Sequence, residues 1–142
     1  MLAASEGREG SMKFINLESG RRDEMIDISH EIQRHIVASG FKDGAVLVFC
    51  PHTTAGLTIN EGTDPAVRAD LIDCLSGLVP WDKIYGHAEG NSPAHVKASL
   101  MGASLLVPVE DGQLVLGQWQ RIFFCEFDGP RPRGVYVKFL AS

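Results

Sequence analysis

Three histidines with polar neighbours carry the clearest chemistry in this chain. His52 lies in Pro51-His52-Thr53-Thr54-Ala55, and His87 and His95 frame the run Gly86-His87-Ala88-Glu89-Gly90-Asn91-Ser92-Pro93-Ala94-His95. His52 follows an apolar, strand-like run, while His87 opens a stretch rich in Gly, Asn and Ser. Such positions are where a scaffold presents side chains to ligands rather than burying them. Three neutral imidazoles with one coordination position left open make a catalytic zinc-type site, which is what these three would form if they converge. The competing reading of each is a hydrogen-bonded structural histidine, because the spacing is neither that of a zinc finger nor His-Glu-x-x-His. The other two of the five histidines, His30 and His35, fall on a predicted helix away from its apolar face and read as solvated surface.

Further candidates surround this set. Glu61 shares a strand face with Leu57 and Ile59, so its carboxylate either caps the next turn or enters a site as acid, base or ligand orienter. Asn60 points to the opposite face. Glu89 and Asn91 could orient ligands or remain solvated loop residues. Trp119, in Gly117-Gln118-Trp119-Gln120, could line a pocket or simply pack. Arg131 and Arg133 have the side-chain type that recognises phosphate, and equally the look of a solvated turn.

The bulk composition bounds what can hold these residues in place. A length of 142 residues allows one domain with one sizeable core, and 44% apolar with 22% charged residues is ordinary for a globular chain. The net charge of −5 argues against a broad nucleic-acid footprint but leaves room for a local anion pocket. No stretch approaches the ~18 apolar residues of a membrane helix, so no membrane partner is expected. Residues 1–11 lack the apolar centre of a secretory signal and read as a disordered leader or cloning remnant; patterned sequence, and the single domain, run over 12–142. Cys50, Cys74 and Cys125 are isolated, so buried reduced thiols and a cytoplasmic location are expected.

Residues 12–18 read as a first strand, and Ile26 and Ile28 straddle Asp27 as in a second. Ser29 is placed to cap a helix with Ile32, Ile36 and Val37 on its apolar face, closed by Gly40. Residues 45–50 are nearly all apolar, as in a strand buried on both faces, and 56–61 alternate. Asp64-Pro65 starts a helix with the stripe Val67, Leu71, Cys74, Leu75 and Leu78. Residues 79–91 have no clean period. Ser92-Pro93 then opens a short helix in which Val96 and Leu100 should face the core, with Gly102 ending it. A hairpin follows over 105–109 and 113–116, turned at Glu110-Asp111-Gly112, and then strands over 121–127 and 135–140 around the basic turn 128–134. The fold class is α+β: antiparallel or mixed sheets with helices packed on one side.

Taken together, Pro51 to Glu61, Asn91 to Gly102 and Gly117-Gln118-Trp119-Gln120 resemble the YjbQ family, also called the secondary thiamine-phosphate synthase family. The resemblance covers about Met12 to the C-terminus, with the motifs in the family's order. It implies a compact α+β domain assembled as a homotrimer, with a metal site built from histidines, here His52, His87 and His95. It also implies a weak thiamine-phosphate synthase activity, joining a hydroxymethylpyrimidine diphosphate to a thiazole phosphate with loss of diphosphate. Two positions depart from the family pattern. Gln118 stands where Thr is usual and Arg121 where Gly is common, and both add bulk near the presumed site.

The resulting expectation is a divalent cofactor, zinc or magnesium, at the three histidines, with a small phosphorylated metabolite as ligand. Glu61, His52 and His95 would be the catalytic groups, and Lys97, Arg131 and Arg133 would contact phosphate. A metal-dependent hydrolase of another substrate, or a non-catalytic metal- or metabolite-binding trimer, would use the same residues.

Overall fold

Val135, Val137 and Phe139 are fully buried, while Lys138 and Leu140, on the alternate positions, reach solvent. That is the period of two of a strand with one face on a core. The computed structural model describes residues 12–142, so the leader expected over 1–11 lies outside the described residues. The order of elements is β1 (Met12–Glu18), β2 (Glu24–Asp27), α1 (Ser29–Ser39), β3 (Gly44–Phe49), β4 (Ala55–Glu61), α2 (Pro65–Leu78), α3 (Ser92–Met101), β5 (Ser104–Glu110), β6 (Gln113–Leu114), β7 (Gln120–Glu126) and β8 (Pro132–Ala141). Five strands form one sheet in the order β1-β8-β3-β5-β6, and three form a second in the order β2-β7-β4. Every ladder is antiparallel. This is the expected α+β class, in a single compact domain with three helices among the described residues.

The main core lies between the sheets. Val46, Val48, Val107 and Val137 from the larger sheet meet Leu57, Ile122 and Phe124 from the smaller, and Ile32 and Ile36 of α1 fill the same layer. The other face of the smaller sheet carries Phe123, Cys125 and Phe127, which Ala94 and Ala98 of α3 and Leu71, Ile72 and Leu75 of α2 cover. α2 and α3 thus pack on the outer face of the smaller sheet, while α1 closes the core between the two sheets. The outer face of the larger sheet stays open: Phe49 and Leu106 are 43% and 63% exposed. β3 is thus covered on one face only: among the described residues no helix lies over the outer face of the sheet that contains it.

Local chemistry explains where the helices begin. Asp64 caps α2, its carboxylate accepting the Ala66 N–H at 3.0 Å ahead of Pro65. Ser29 is not a cap. Its hydroxyl accepts the Ile122 N–H at 2.7 Å and pins α1 to β7, while Asp27 accepts the Ser29 N–H. Gly40 and Gly102 close α1 and α3 with positive φ, as expected, and Asp111-Gly112 turns the hairpin with both residues at positive φ.

The face of α3 is reversed from the expected one. Pro93, Ala94, Lys97 and Ala98 are buried, whereas Val96 and Leu100 are 42% and 58% exposed. The cause is close docking on β4, where the Leu57 N–H donates to Gly102 O at 3.0 Å and a Cβ on Gly56 would lie 2.8 Å from Gly102 O and 2.9 Å from Met101 Cβ. Only small residues fit a contact this tight. Gly56→Ala is therefore expected to push α3, and His95 with it, off the sheet and to lower stability by about 1–3 kcal/mol, the usual range for overpacking. Urea unfolding of the two proteins checks this; an unchanged midpoint would contradict the close docking.

Candidate functional site

His52 leaves the end of β3, His95 sits in the first turn of α3, and His87 lies in the irregular segment between α2 and α3. The fold brings all three to one polar cavity of about 410 Å³, together with Thr53, Asn91, Asp128 and Arg131. The His87 and His95 rings approach edge to face, with centroids 5.3 Å apart. His87 Nε2 is 3.9 Å from Glu89 Oε2, so Glu89 belongs to this rim as well. His52 is engaged through Nε2 by the Gly134 peptide group. Depending on tautomer, Nε2 accepts the Gly134 N–H at 3.1 Å or donates to its carbonyl at 2.9 Å. The ring's remaining nitrogen is Nδ1.

Burial lowers the His52 pKa from its ordinary value of 6.5, and the Arg133 guanidinium lowers it further. His52 is therefore a neutral imidazole at pH 7, the state needed in a ligand or a base. A titration followed by NMR of the ring protons is expected to place its midpoint below 6.5; a midpoint above it would show that burial and the Arg133 charge do not govern the ring.

Behind His52 lies a buried network. The Glu126 carboxylate accepts Arg133 Nε at 2.8 Å and Ser19 Oγ at 2.6 Å, and Arg133 Nη2 also donates to Thr54 Oγ1 at 2.7 Å. The Phe127 and Asp128 N–H groups donate to the same carboxylate. Burial alone pushes the Glu126 carboxyl up, but the hydrogen bonds from Arg133, Ser19 and Asp128 outweigh it and hold the pKa below 4.5. The network fixes the Thr53-Thr54 turn beside His52. At the rim, Asp128 Oδ2 accepts both Asn91 Nδ2 and Arg131 Nη2 at 3.0 Å, joining the N-terminus of α3 to the turn before β8.

Several expected site residues lie elsewhere or do other work. Glu61 is at the far end of β4: Ala55 pairs with Glu126 beside the histidines, whereas Glu61 pairs with Gln120. Six strand steps separate the two ends by roughly 20 Å. Glu61 instead accepts the backbone N–H groups of Thr63 and Asp64, capping the turn before α2. Lys97 is not free for phosphate. Its side chain is 1% exposed, with Nζ 3.5 Å from Asp23 Oδ2 and 3.4 Å from Ser76 Oγ, because the buried face of α3 includes it. Arg133 borders the cavity, but its guanidinium is committed to Glu126 and Thr54. Arg131 is the half-exposed cation at the rim. Gln118, Trp119 and Arg121 cluster near Glu61, where Arg121 Nη1 donates to Gln120 O at 2.8 Å, so the two departures from the family pattern do not crowd the histidines of the same chain. Cys50 and Cys125 are buried free thiols, as expected, but Cys74 is exposed because α2 has no fully buried residue.

Imidazoles suit zinc-class ions, whereas magnesium prefers oxygen ligands. His87 and His95 stand as a pair with the right donors. Among the described residues, however, no three His, Cys, Asp or Glu side chains are grouped tightly enough to hold an ion. The donor chemistry fits a metal; the third protein ligand is not drawn in, with His52 Nε2 held by Gly134.

Glu126 was the functional residue least expected from its surroundings in sequence, although a single carboxylate in Phe123-Phe124-Cys125-Glu126-Phe127 is a signal in itself. An acid inside an apolar strand must have a partner.

Comparison with known proteins agrees with this architecture. The UPF0047 protein YjbQ-like family profile matches residues 13–142. UPF0047 protein YugU of Bacillus subtilis is 48% identical over 130 residues, covering 91% of this chain and 98% of its own. A UPF0047 protein of Methanocaldococcus jannaschii is 48% identical over 126 residues, covering 89% of this chain and 91% of its own. The crystal structure of an uncharacterized conserved YjbQ/UPF0047 family protein from Clostridium acetobutylicum superposes with a TM-score of 0.88 at 48% identity, covering 90% of this chain and 99% of that one. A YbjQ-like protein of unknown function from Sulfolobus solfataricus gives a TM-score of 0.88 at 31% identity, covering 92% and 96%. With a match over nearly its whole length and these full-length relatives, the chain belongs to the YjbQ-like UPF0047 family.

Proposed function

We propose that the histidine cavity binds a zinc-class ion and a small phosphorylated metabolite, and that it joins a hydroxymethylpyrimidine diphosphate to a thiazole phosphate. In that reaction the thiazole nitrogen attacks the methylene carbon, the carbon–oxygen bond breaks, and the electron pair leaves with diphosphate. The observation that carries the reading is the convergence of His52, His87, His95 and Arg131 on one polar cavity. The ion, when bound at His87 and His95, would supply charge neutralisation for the leaving group. Arg131, held in orientation by Asp128 and half-exposed, would present its remaining guanidinium N–H groups to a phosphate at the rim, with its charge partly offset by the Asp128 carboxylate. The neutral His52 ring, backed by Gly134, orients a polar substrate group or holds a proton. Formation of thiamine phosphate from the two purified substrates, compared with a protein-free control, tests the proposal; turnover no higher than the control overturns it.

The neutral imidazole of His52 also favours a second reading, metal-assisted hydrolysis with His52 as base. A hydrolase would consume a single phosphate or amide substrate without needing a pair. A homotrimer fits either chemistry. The open apolar face around Phe49, Leu106 and Leu140 is the surface that such an assembly would cover, and light scattering at three times 15.5 kDa is the expected result. Among the described residues no helix is long and apolar enough to cross a membrane. The buried free thiols Cys50 and Cys125 suit a cytoplasmic setting.

A further inference from the structure

A second cavity, of about 260 Å³, lies under α2 on the outer face of the smaller sheet. It shares no lining residue with the histidine cavity, and none of its lining residues is charged. Met25, Cys125 and Phe127 form its floor and Leu71 and Leu75 its roof, with Met101 at the end of α3 closing one side. The helix above it has no fully buried residue, so the roof is held by partial contacts alone. Two polar side chains enter this apolar wall, both from β4. The Thr58 hydroxyl has no side-chain hydrogen bond among the described residues, and Asn60 uses Oδ1 for the Glu61 N–H, leaving its amide hydrogens available.

An apolar chamber with a few polar groups on one wall is the general form of a small-molecule site. The absence of lining charge selects a neutral ligand, since a phosphate would lose its hydration here without a compensating cation. Size selects further: a cavity of about 150 Å³ holds benzene, so this one accommodates about ten non-hydrogen atoms. We propose that the cavity under α2 is a binding site for a neutral aromatic or heteroaromatic molecule of that size, its ring in the Met25–Leu75–Phe127 interior and its polar edge on Thr58 and Asn60. The site is separate from the histidine cavity and independent of the chemistry proposed there.

Indole and toluene are suitable probes, one with a polar edge and one without. Calorimetric titration of the full chain is expected to give saturable binding of one molecule per chain. The unfolding temperature should rise with ligand concentration as mass action requires. Thr58→Val preserves shape and removes the hydroxyl; it should weaken indole about fivefold, the value of one neutral hydrogen bond, and leave toluene unchanged. Leu75→Trp fills the chamber and should abolish both, with Met101→Phe as a second filling variant should the first fail to fold. Each variant is checked for native circular dichroism. Absence of saturable binding to the wild type overturns the proposal, and that is also the result expected if a second copy of the chain covers this face. Binding that survives filling overturns it too, and indole binding indifferent to Thr58→Val overturns the polar-edge assignment.

Discussion

His95→Ala is expected to reduce zinc affinity at least about 100-fold and to remove thiamine-phosphate formation entirely. Disturbing only the groups around a metal ligand costs 10–100-fold, and this change removes a ligand itself. The fold should survive. His95 is half-buried, its ring contact is His87, and alanine is the most favourable residue in a helix. Equilibrium dialysis with zinc and the two-substrate assay, run on wild type and variant together, separate the possibilities. Loss of both supports the histidine cavity as the reaction site. Retained turnover in a variant that no longer binds zinc would sink the metal assignment. Equal trace turnover in both proteins would make the synthase activity incidental.

Arg133→Met should be the most destabilising single substitution near the site. The Glu126 side chain is 0% exposed and that of Arg133 4%, so methionine leaves a carboxylate buried without its countercharge. Breaking a buried pair from one side costs about 3–5 kcal/mol. The pH dependence identifies the cause. Glu126 is held below its ordinary 4.5, so its contribution is complete above that value and is lost as pH falls through the lower folded-state pKa. His52 acts in the same direction, because the unfolded chain takes up its proton near 6.5 while the folded ring resists it. Wild-type stability should therefore decline on acidification below about 6.5. The gap between wild type and Arg133→Met should narrow in acid, where the orphaned carboxyl becomes neutral. Urea unfolding at several pH values measures this; a gap constant with pH would assign the loss to packing. Replacing Glu126 by Leu in the same chain should recover part of the stability.

The elements were largely legible from periodicity and punctuation. Asp64-Pro65 and Asp111-Gly112 each force one local geometry, and the structure has it. The face of α3 was not legible, because apolar spacing favours Val96 and Leu100 while docking geometry admits only Ala94 and Ala98 beside Gly56. Helix faces chosen by closeness of approach look unamphipathic in sequence. The histidines were legible as a set because each adjoins a turn or a helix start, and such positions cluster at one end of a sandwich. Glu61 misled for the complementary reason. It shares the strand of Ala55, but alternation reports which face a residue occupies and not which end. Lys97 misled because its type suggests solvent, while its place on α3 puts it among Asp23, Ser76 and Phe127. Glu126 depends on Ser19, Thr54 and Arg133, contacts spanning up to 107 positions in the chain that no local pattern encodes.

The two paired histidines have unequal footing. His95 rides on a helix anchored to a sheet, while His87 hangs from a segment whose internal hydrogen bonds, among the described residues, are Tyr85 to Pro80 and a 3.4 Å turn from Gly90 to His87. Ile84 in the same segment is 95% exposed. Closing two imidazoles on one ion would therefore restrict this stretch of chain, and the measured affinity would contain the entropy of that restriction. Substitutions that stiffen the segment without touching a ligand, such as Gly86→Ala, would then tighten the ion. Capture of the ion would in turn protect the segment from proteases. The same strand of coil would be both gate and ligand, so occupancy of the site could be read from how slowly the chain is cut.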